Sequence, residues 1–129
     1  MLVIDMTSIK NTDIKDPKKN GQLVGHLNSK DFFGVKKNPI ATLAVKKFVA
    51  KKNGTYDAEG ILTIKKKSHP ITFNARMSKS KSGVYRVDAN TGFNRATYDV
   101  RYGSKSFFKD LVANKIISDK IKLKTTIFF

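Results

Sequence analysis

The sequence predicts an all-β domain: an antiparallel up-and-down barrel, complete or incomplete, with one or two short helices covering an end. Three observations carry this. From Pro39 onward, apolar and polar residues alternate with a period of two over four successive segments, as strands with one buried face do. Turn-forming stretches separate the segments, Asn53-Gly54 the clearest, so consecutive strands pair as hairpins. Finally, 129 residues make one domain with room for a real core, and a meander of that length must curl or close to protect its edges.

In chain order, residues 1–9 read as a strand, with Leu2, Ile4 and Met6 opposite Val3, Asp5 and Thr7. Asp16-Pro17 is a helix start, Asp at the cap and Pro at the first helical position. A helix over about 17–27 puts Leu23 and Leu27 on one face with His26 beside them, and Gly25 weakens it. Ser29 can cap a second short turn, Asp31 suits its dipole, and Gly34 ends it. Pro39 then marks extended chain. Residues 22–39 are thus the one long stretch of the first half that is not a strand. It sets Phe32 beside Phe33 just before a glycine, as a plug or a gate for an apolar interior.

The first strand after Pro39 carries Ala41, Leu43 and Val45 inward, and a slip near Lys46-Lys47 brings in Phe48, which fits a bulge. The second shows Tyr56, Ala58, Gly60, Leu62 and Ile64 inside. Lys66 to Ser68 turn the chain, and His69-Pro70 starts a third strand with Ile71, Phe73, Ala75 and Met77 inside. After the loop 78–83, Tyr85, Val87, Ala89, Thr91 and Phe93 face inward, up to about Arg95. Residues 98–103 read as extended and then broken by glycine. Ser104 reads as the cap of a helix to about Val112, with Phe107, Phe108, Leu111 and Val112 on one face and Asn114 closing it. A last strand over about 116–127 alternates Ile121, Leu123, Thr125 and Ile127 against Lys120, Lys122 and Lys124.

Composition narrows the function classes. There are no cysteines, which removes disulfides and thiolate zinc sites. No run approaches the roughly 18 apolar residues of a membrane span, and Met-Leu-Val-Ile-Asp lacks the basic-then-apolar order of a signal peptide. The 26 Lys+Arg against 10 Asp+Glu give a net charge of +16, which favours anionic partners. The bases are mostly Lys in short groups, with only Arg76, Arg86, Arg95 and Arg101 able to make the bidentate contacts that phosphate or base recognition leans on. Two histidines, His26 and His69, stand without acidic or cysteine companions at ligand spacing, so no metal site and no Ser-His-Asp constellation is expected. No glycine-rich phosphate loop is present either. The chain reads as a non-enzyme without a cofactor. His69, before a proline at a turn, is expected to be an exposed strand-start residue, and His26 a packed or cap-bonded one.

His26-Leu27-Asn28-Ser29-Lys30-Asp31-Phe32-Phe33 followed by Pro39 resembles the His-Leu-x-Ser-x-Asp-Phe-Phe…Pro signature of the YceI-like family. Ile4-Asp5-Met6-Thr7-Ser8-Ile9, Gly60-Ile61-Leu62-Thr63-Ile64 with His69-Pro70-Ile71, and Asn94-Arg95 leading to Tyr98…Tyr102-Gly103 fit in the same order. The resemblance implies a lipocalin-like barrel of eight antiparallel strands holding a long-chain lipid of polyisoprenoid type, in bacterial proteins usually exported to the periplasm. Three departures stand out. Leu23-Val24 replaces the usual Arg-Asp; Lys66 takes a turn position where glycine is usual and where positive φ has a cost; and about six strands are legible, so the family's first strands are expected to lie upstream of Met1. Such a chain is expected to be a fragment, to have an open pocket, or to be completed by a second copy as a homodimer.

On this reading the apolar lining is Leu43, Val45, Leu62, Ile64, Ile71, Phe73, Met77, Val87 and Phe93. The small residues Ala41, Ala58, Gly60, Ala75 and Ala89 on the same face leave room along the axis. His26, Leu27, Phe32 and Phe33 form a cover, and Arg95 is a candidate partner for a polar head or for backbone at the barrel end. A long tail then needs no polar chemistry to be held, at roughly 0.8 kcal/mol per buried methylene. The basic surface would suit an anionic membrane. Nucleic acid is the alternative anionic partner. It requires aromatic platforms among the lysines, whereas Tyr56, Phe73 and Phe93 fall on the apolar side of their strands.

Overall fold

Alternation from Ile40 onward yields long strands because each buries one row of apolar side chains and leaves the other wet. A computed structural model describes residues 1–129. Six antiparallel strands form one curled sheet, a half-barrel in strict chain order. The strands are β1 (Leu2–Asp5), β2 (Ile40–Ala50), β3 (Thr55–Ile64), β4 (Lys67–Lys79), β5 (Tyr85–Asn94) and β6 (Lys120–Phe128), with one helix, α1 (Pro17–Asn28), between β1 and β2. β1 and β6 are the two sheet edges.

The predicted helix start is present: Asp16 Oδ1 accepts from Lys19 N at 2.9 Å with Pro17 in the first turn, and α1 runs on through Gly25. Ser29 caps the next turn as expected, its Oγ accepting from Asp31 N at 3.3 Å, and Gly34 turns the chain at φ +53°. β1 is shorter than the predicted strand over 1–9. Asp5 Oδ1 accepts from Thr7 N at 2.9 Å and from Thr7 Oγ1 at 2.6 Å. These local bonds outcompete the ladder and wind Met6–Ser8 into a 3-10 turn.

The bulge lies where the slip in pattern puts it: register shifts between Val45 and Lys47, so that Val45 pairs with Gly60 and Phe48 with Ala58. Gly60 is needed there. A Cβ would meet Ala44 O at 2.7 Å and Leu43 Cδ1 at 3.2 Å, so this glycine seats the bent strand β2, which fills the space beside it. Ala58 and Ala75 are likewise buried, Ala58 in register between Phe48 and Phe73, and Ala75 beside Tyr56. The small residues are seats for large neighbours.

The β3–β4 turn is tighter than predicted. Lys65 and Lys66 alone form it, at φ +50° and +63°, and β4 already begins at Lys67. The second half of the chain holds three further corrections. Residues 98–103 are not extended: Arg95–Tyr98 is a 3-10 turn closed by Asp99 at φ +63°. No helix spans 104–112. Ser104 O does accept from Phe107 N and Phe108 N, at 3.2 and 3.0 Å, but the turn stops there. Phe107, Phe108 and Val112 remain exposed, and a short helix with no face to bury is not sustained. The last strand starts at Lys120, not near 116, because the carbonyls of Ile117 and Ser118 are already taken by a side chain.

The core gathers at one end of the half-barrel. Phe32, Ala41, Leu62, Ile64, Ile71, Tyr98 and Val100 are buried together, with Met6, Leu27, Phe33, Leu43, Phe73 and Phe93 packed against them. This is the capped end. At the other, the hairpin end, loops 51–54 and 80–84 reverse the chain.

Candidate functional site: a concave apolar face closed at one end

Residues paired across a ladder point to the same face, and register therefore assembles the interior. Leu43 pairs with Leu62 and Leu62 with His69; Val45 pairs with Gly60 and Gly60 with Ile71; Ala58 pairs with Phe73. Farther round, Met77 pairs with Val87, Val87 with Ile127, and Phe93 with Ile121. All nine predicted lining residues thus share the concave face. Leu62, Ile64 and Ile71 are buried in the core, whereas Leu43, Phe73, Met77, Val87 and Phe93 are half-buried and Val45 is 43% exposed. The same face also carries Leu2, Phe48, Tyr56, Ile121, Leu123 and Ile127, which were legible from the alternation but not named as lining.

Of the predicted cover, Phe32 is buried while Leu27 and Phe33 are half-buried against the core. His26 belongs to an aromatic group with Phe32 and Tyr102. Its ring meets Phe32 edge-on at 4.9 Å and Tyr102 at 4.5 Å, and its Nε2 lies 3.3 Å from Asp31 Oδ2. Signature residues His26, Asp31 and Phe32 thereby hold one another.

Arg95 is 1% exposed. Its Nε donates to Ser118 O at 3.0 Å, Nη1 to Val100 O at 2.9 Å and Nη2 to Ile117 O at 3.0 Å. Asp119 supplies the counter-charge at 3.7 Å. Burial pulls the guanidinium's pKa down and Asp119 opposes that. Arg95 therefore ties backbone at the capped end, one of its two predicted roles. Hydroxyls of Ser104 and Ser106, then the Arg95 charge, hold the Asp119 carboxyl below the usual carboxylate range.

His69 is not an exposed strand-start residue. It sits within β4, facing inward and half-buried, with Nε2 2.9 Å from Thr97 O and its ring edge-on to Tyr98 at 5.0 Å. The early start of β4 shifts it inward. Tyr98 itself, 1% exposed, also meets Phe93 edge-on at 5.5 Å. Its hydroxyl is buried without a partner, and burial raises its pKa. Single-sequence alternation could not find it, since it lies in a 3-10 turn.

One seam interrupts the wall. β4 and β5 pair only from Asn74–Asn90 to Lys79–Tyr85. Toward the capped end the two strands part, and a cleft of about 440 Å³ lies there against His69, Ile71, Phe93 and Tyr98. A single hydroxyl contact, Thr91 Oγ1 to Thr72 O at 3.1 Å, crosses it. Chemically, the face offers apolar surface and few polar atoms, which suits a hydrocarbon chain. No helix is long and apolar enough to cross a membrane.

A family model, the YceI-like domain, matches residues 1–129. No curated protein matches the sequence. Among solved structures, BcnA from Burkholderia cenocepacia is similar with a TM-score of 0.74 at 24% identity, over 98% of this chain and 71% of that one. The Campylobacter jejuni YceI protein is similar with a TM-score of 0.70 at 23% identity, over 98% of this chain and 68% of that one. These likenesses establish a shared fold.

Proposed function

The chain belongs to the YceI-like family, and from that membership we propose that it binds, without catalysis, a long-chain apolar lipid of isoprenoid or fatty-acyl type. The lipid would be held for storage, transport or stress protection in the cell envelope. One observation carries the reading: on the concave face Leu43, Phe73, Met77, Val87, Phe93 and Leu123 are half-buried and not packed shut, on both sides of the β4–β5 seam. Ten methylenes moved from water onto such a face contribute about 8 kcal/mol before the entropic cost of binding. Orientation follows from the blind end. Phe32, Tyr98 and the Arg95 network close one end of the face, so a chain lying along it enters from the hairpin end.

Protein purified without detergent and extracted with organic solvent should yield a long-chain lipid by mass spectrometry. Phe73→Asp, which puts a charge in the middle of the row, should abolish it, and Thr72→Asp on the convex face should not. An empty extract, together with no uptake of a fluorescent fatty-acyl probe, would overturn the proposal.

A further inference from the structure

The hairpin end brings together features that the lipid-binding reading does not use. Phe48 stacks on Tyr56 with centroids 4.4 Å apart, and Tyr85 on Phe129 at 5.4 Å, both pairs within 14° of parallel. Around them Val49, Val84 and Phe128 stand exposed. Val84 lies in the 80–84 loop, Val49 is next to last in β2, and Phe128 is the last residue of β6. The same end is basic. Lys47, Lys51 and Arg86 are matched by Glu59, Asp57 and Asp88. Lys46, Lys52, Arg76, Lys79 and Lys81 have no acidic partner within 4 Å, and Lys79 lies over the Tyr85 ring at 5.0 Å.

We propose that the hairpin end is a docking surface for an anionic lipid bilayer, with loops 51–54 and 80–84 at the headgroup level. Exposed valines and rings suit the boundary between acyl chains and headgroups, where aromatic side chains concentrate. Unpaired lysines supply attraction to anionic lipid that falls off within a Debye length. Nucleic acid would use the same charge but requires free ring faces on which bases stack. Here Phe48, Tyr56, Tyr85 and Phe129 are paired face to face, Arg86 lies over Phe128 at 5.9 Å, and the other exposed apolars, Val49 and Val84, are aliphatic.

The test uses sedimentation with vesicles of phosphatidylcholine alone or with about one-third phosphatidylglycerol. Binding should require the anionic lipid and fall steeply with salt. Lys52→Glu/Lys81→Glu should weaken partitioning by roughly a thousandfold, since the two reversals together change four charges near the surface. Val84→Asp should weaken it at unchanged lysine content. Lys18→Glu/Lys19→Glu, an equal charge change on exposed positions of α1, should leave more than half of the binding free energy in place. Equal loss in the α1 pair would overturn the proposal, as would binding indifferent to phosphatidylglycerol. So would tighter, variant-sensitive binding of a single-stranded oligonucleotide with no vesicle binding. The docking variants should still yield lipid on solvent extraction, so failure here is distinct from failure of the lipid-binding reading.

Discussion

The Arg95 guanidinium lies over the Phe32 ring, 5.8 Å from its centre. The plug of the half-barrel thus rests on the group that gathers the carbonyls of Val100, Ile117 and Ser118. Three segments far apart in sequence meet through one side chain.

Replacing Arg95 should therefore be costly. Arg95→Met leaves those buried carbonyls without donors, and each orphaned group costs about 1–3 kcal/mol, so a loss of about 3 kcal/mol or more is expected from urea unfolding midpoints. Arg95→Lys should recover less than half of it, because one ammonium does not reproduce the planar fork.

Asp119 makes stability pH-dependent in a defined direction. Its folded pKa is held below the ordinary value by the Ser104 and Ser106 hydroxyls and by Arg95. The unfolded chain therefore takes up the proton first as pH falls. The contribution is full above about pH 5 and is lost as pH falls through the folded pKa. Asp119→Asn should be less stable than the parent at about pH 6, and the gap in urea midpoints should narrow by about pH 3. A constant gap would refute the linkage.

The aromatic residues should split sharply. Phe32→Ala removes a buried ring from the capped end and should cost about 3–5 kcal/mol. Phe108→Ala, at a 50% exposed position, should stay within about 0.5 kcal/mol. Thermal melts of both variants settle the comparison.

The β3–β4 turn can be improved. Lys65 and Lys66 both hold left-handed φ, which costs roughly 1 kcal/mol for a residue with a Cβ, whereas Asn-Gly suits a two-residue turn of this hand. Because Lys65 also donates to Asp99 O at 2.7 Å, the test is Lys66→Gly alone, which should raise Tm by about 2–4 °C; an unchanged or lower Tm would count against strain at this turn.

Strands β2 to β5 were readable because Leu43, Leu62, Phe73 and Val87 fall on a two-residue period that burial enforces. Even the bulge showed, as the break before Phe48. The capping of α1 was readable because Asp16-Pro17 acts locally. Residues 95–119 were not. There Arg95 draws carbonyls from 100, 117 and 118, a long-range bond pattern without sequence period, and the Phe107-Phe108 spacing imitates a helix that finds nothing to pack on. His69 was misplaced by a turn shorter than the Lys-rich run suggested. For the site, alternation put the nine named residues on one face but could not separate Leu62 and Ile71, consumed by the core, from Phe73 and Val87, which remain in the groove.

The seam between β4 and β5 gives the wall a mechanical character. With ladder pairing confined to residues 74–79 and 85–90, the strands β1–β4 and the ribbon β5–β6 are two leaves joined by backbone bonds at the hairpin end and by side chains at the capped end. The His69–Thr97 bond, at 2.9 Å, is a latch between them. Opening this seam breaks few backbone bonds, but it must also part Tyr98 and Val100 from Leu62 and Ile71 in the core. In hydrogen exchange, amides of β4 before Asn74 that lack a β3 acceptor should open first, well ahead of those in β2 and β3.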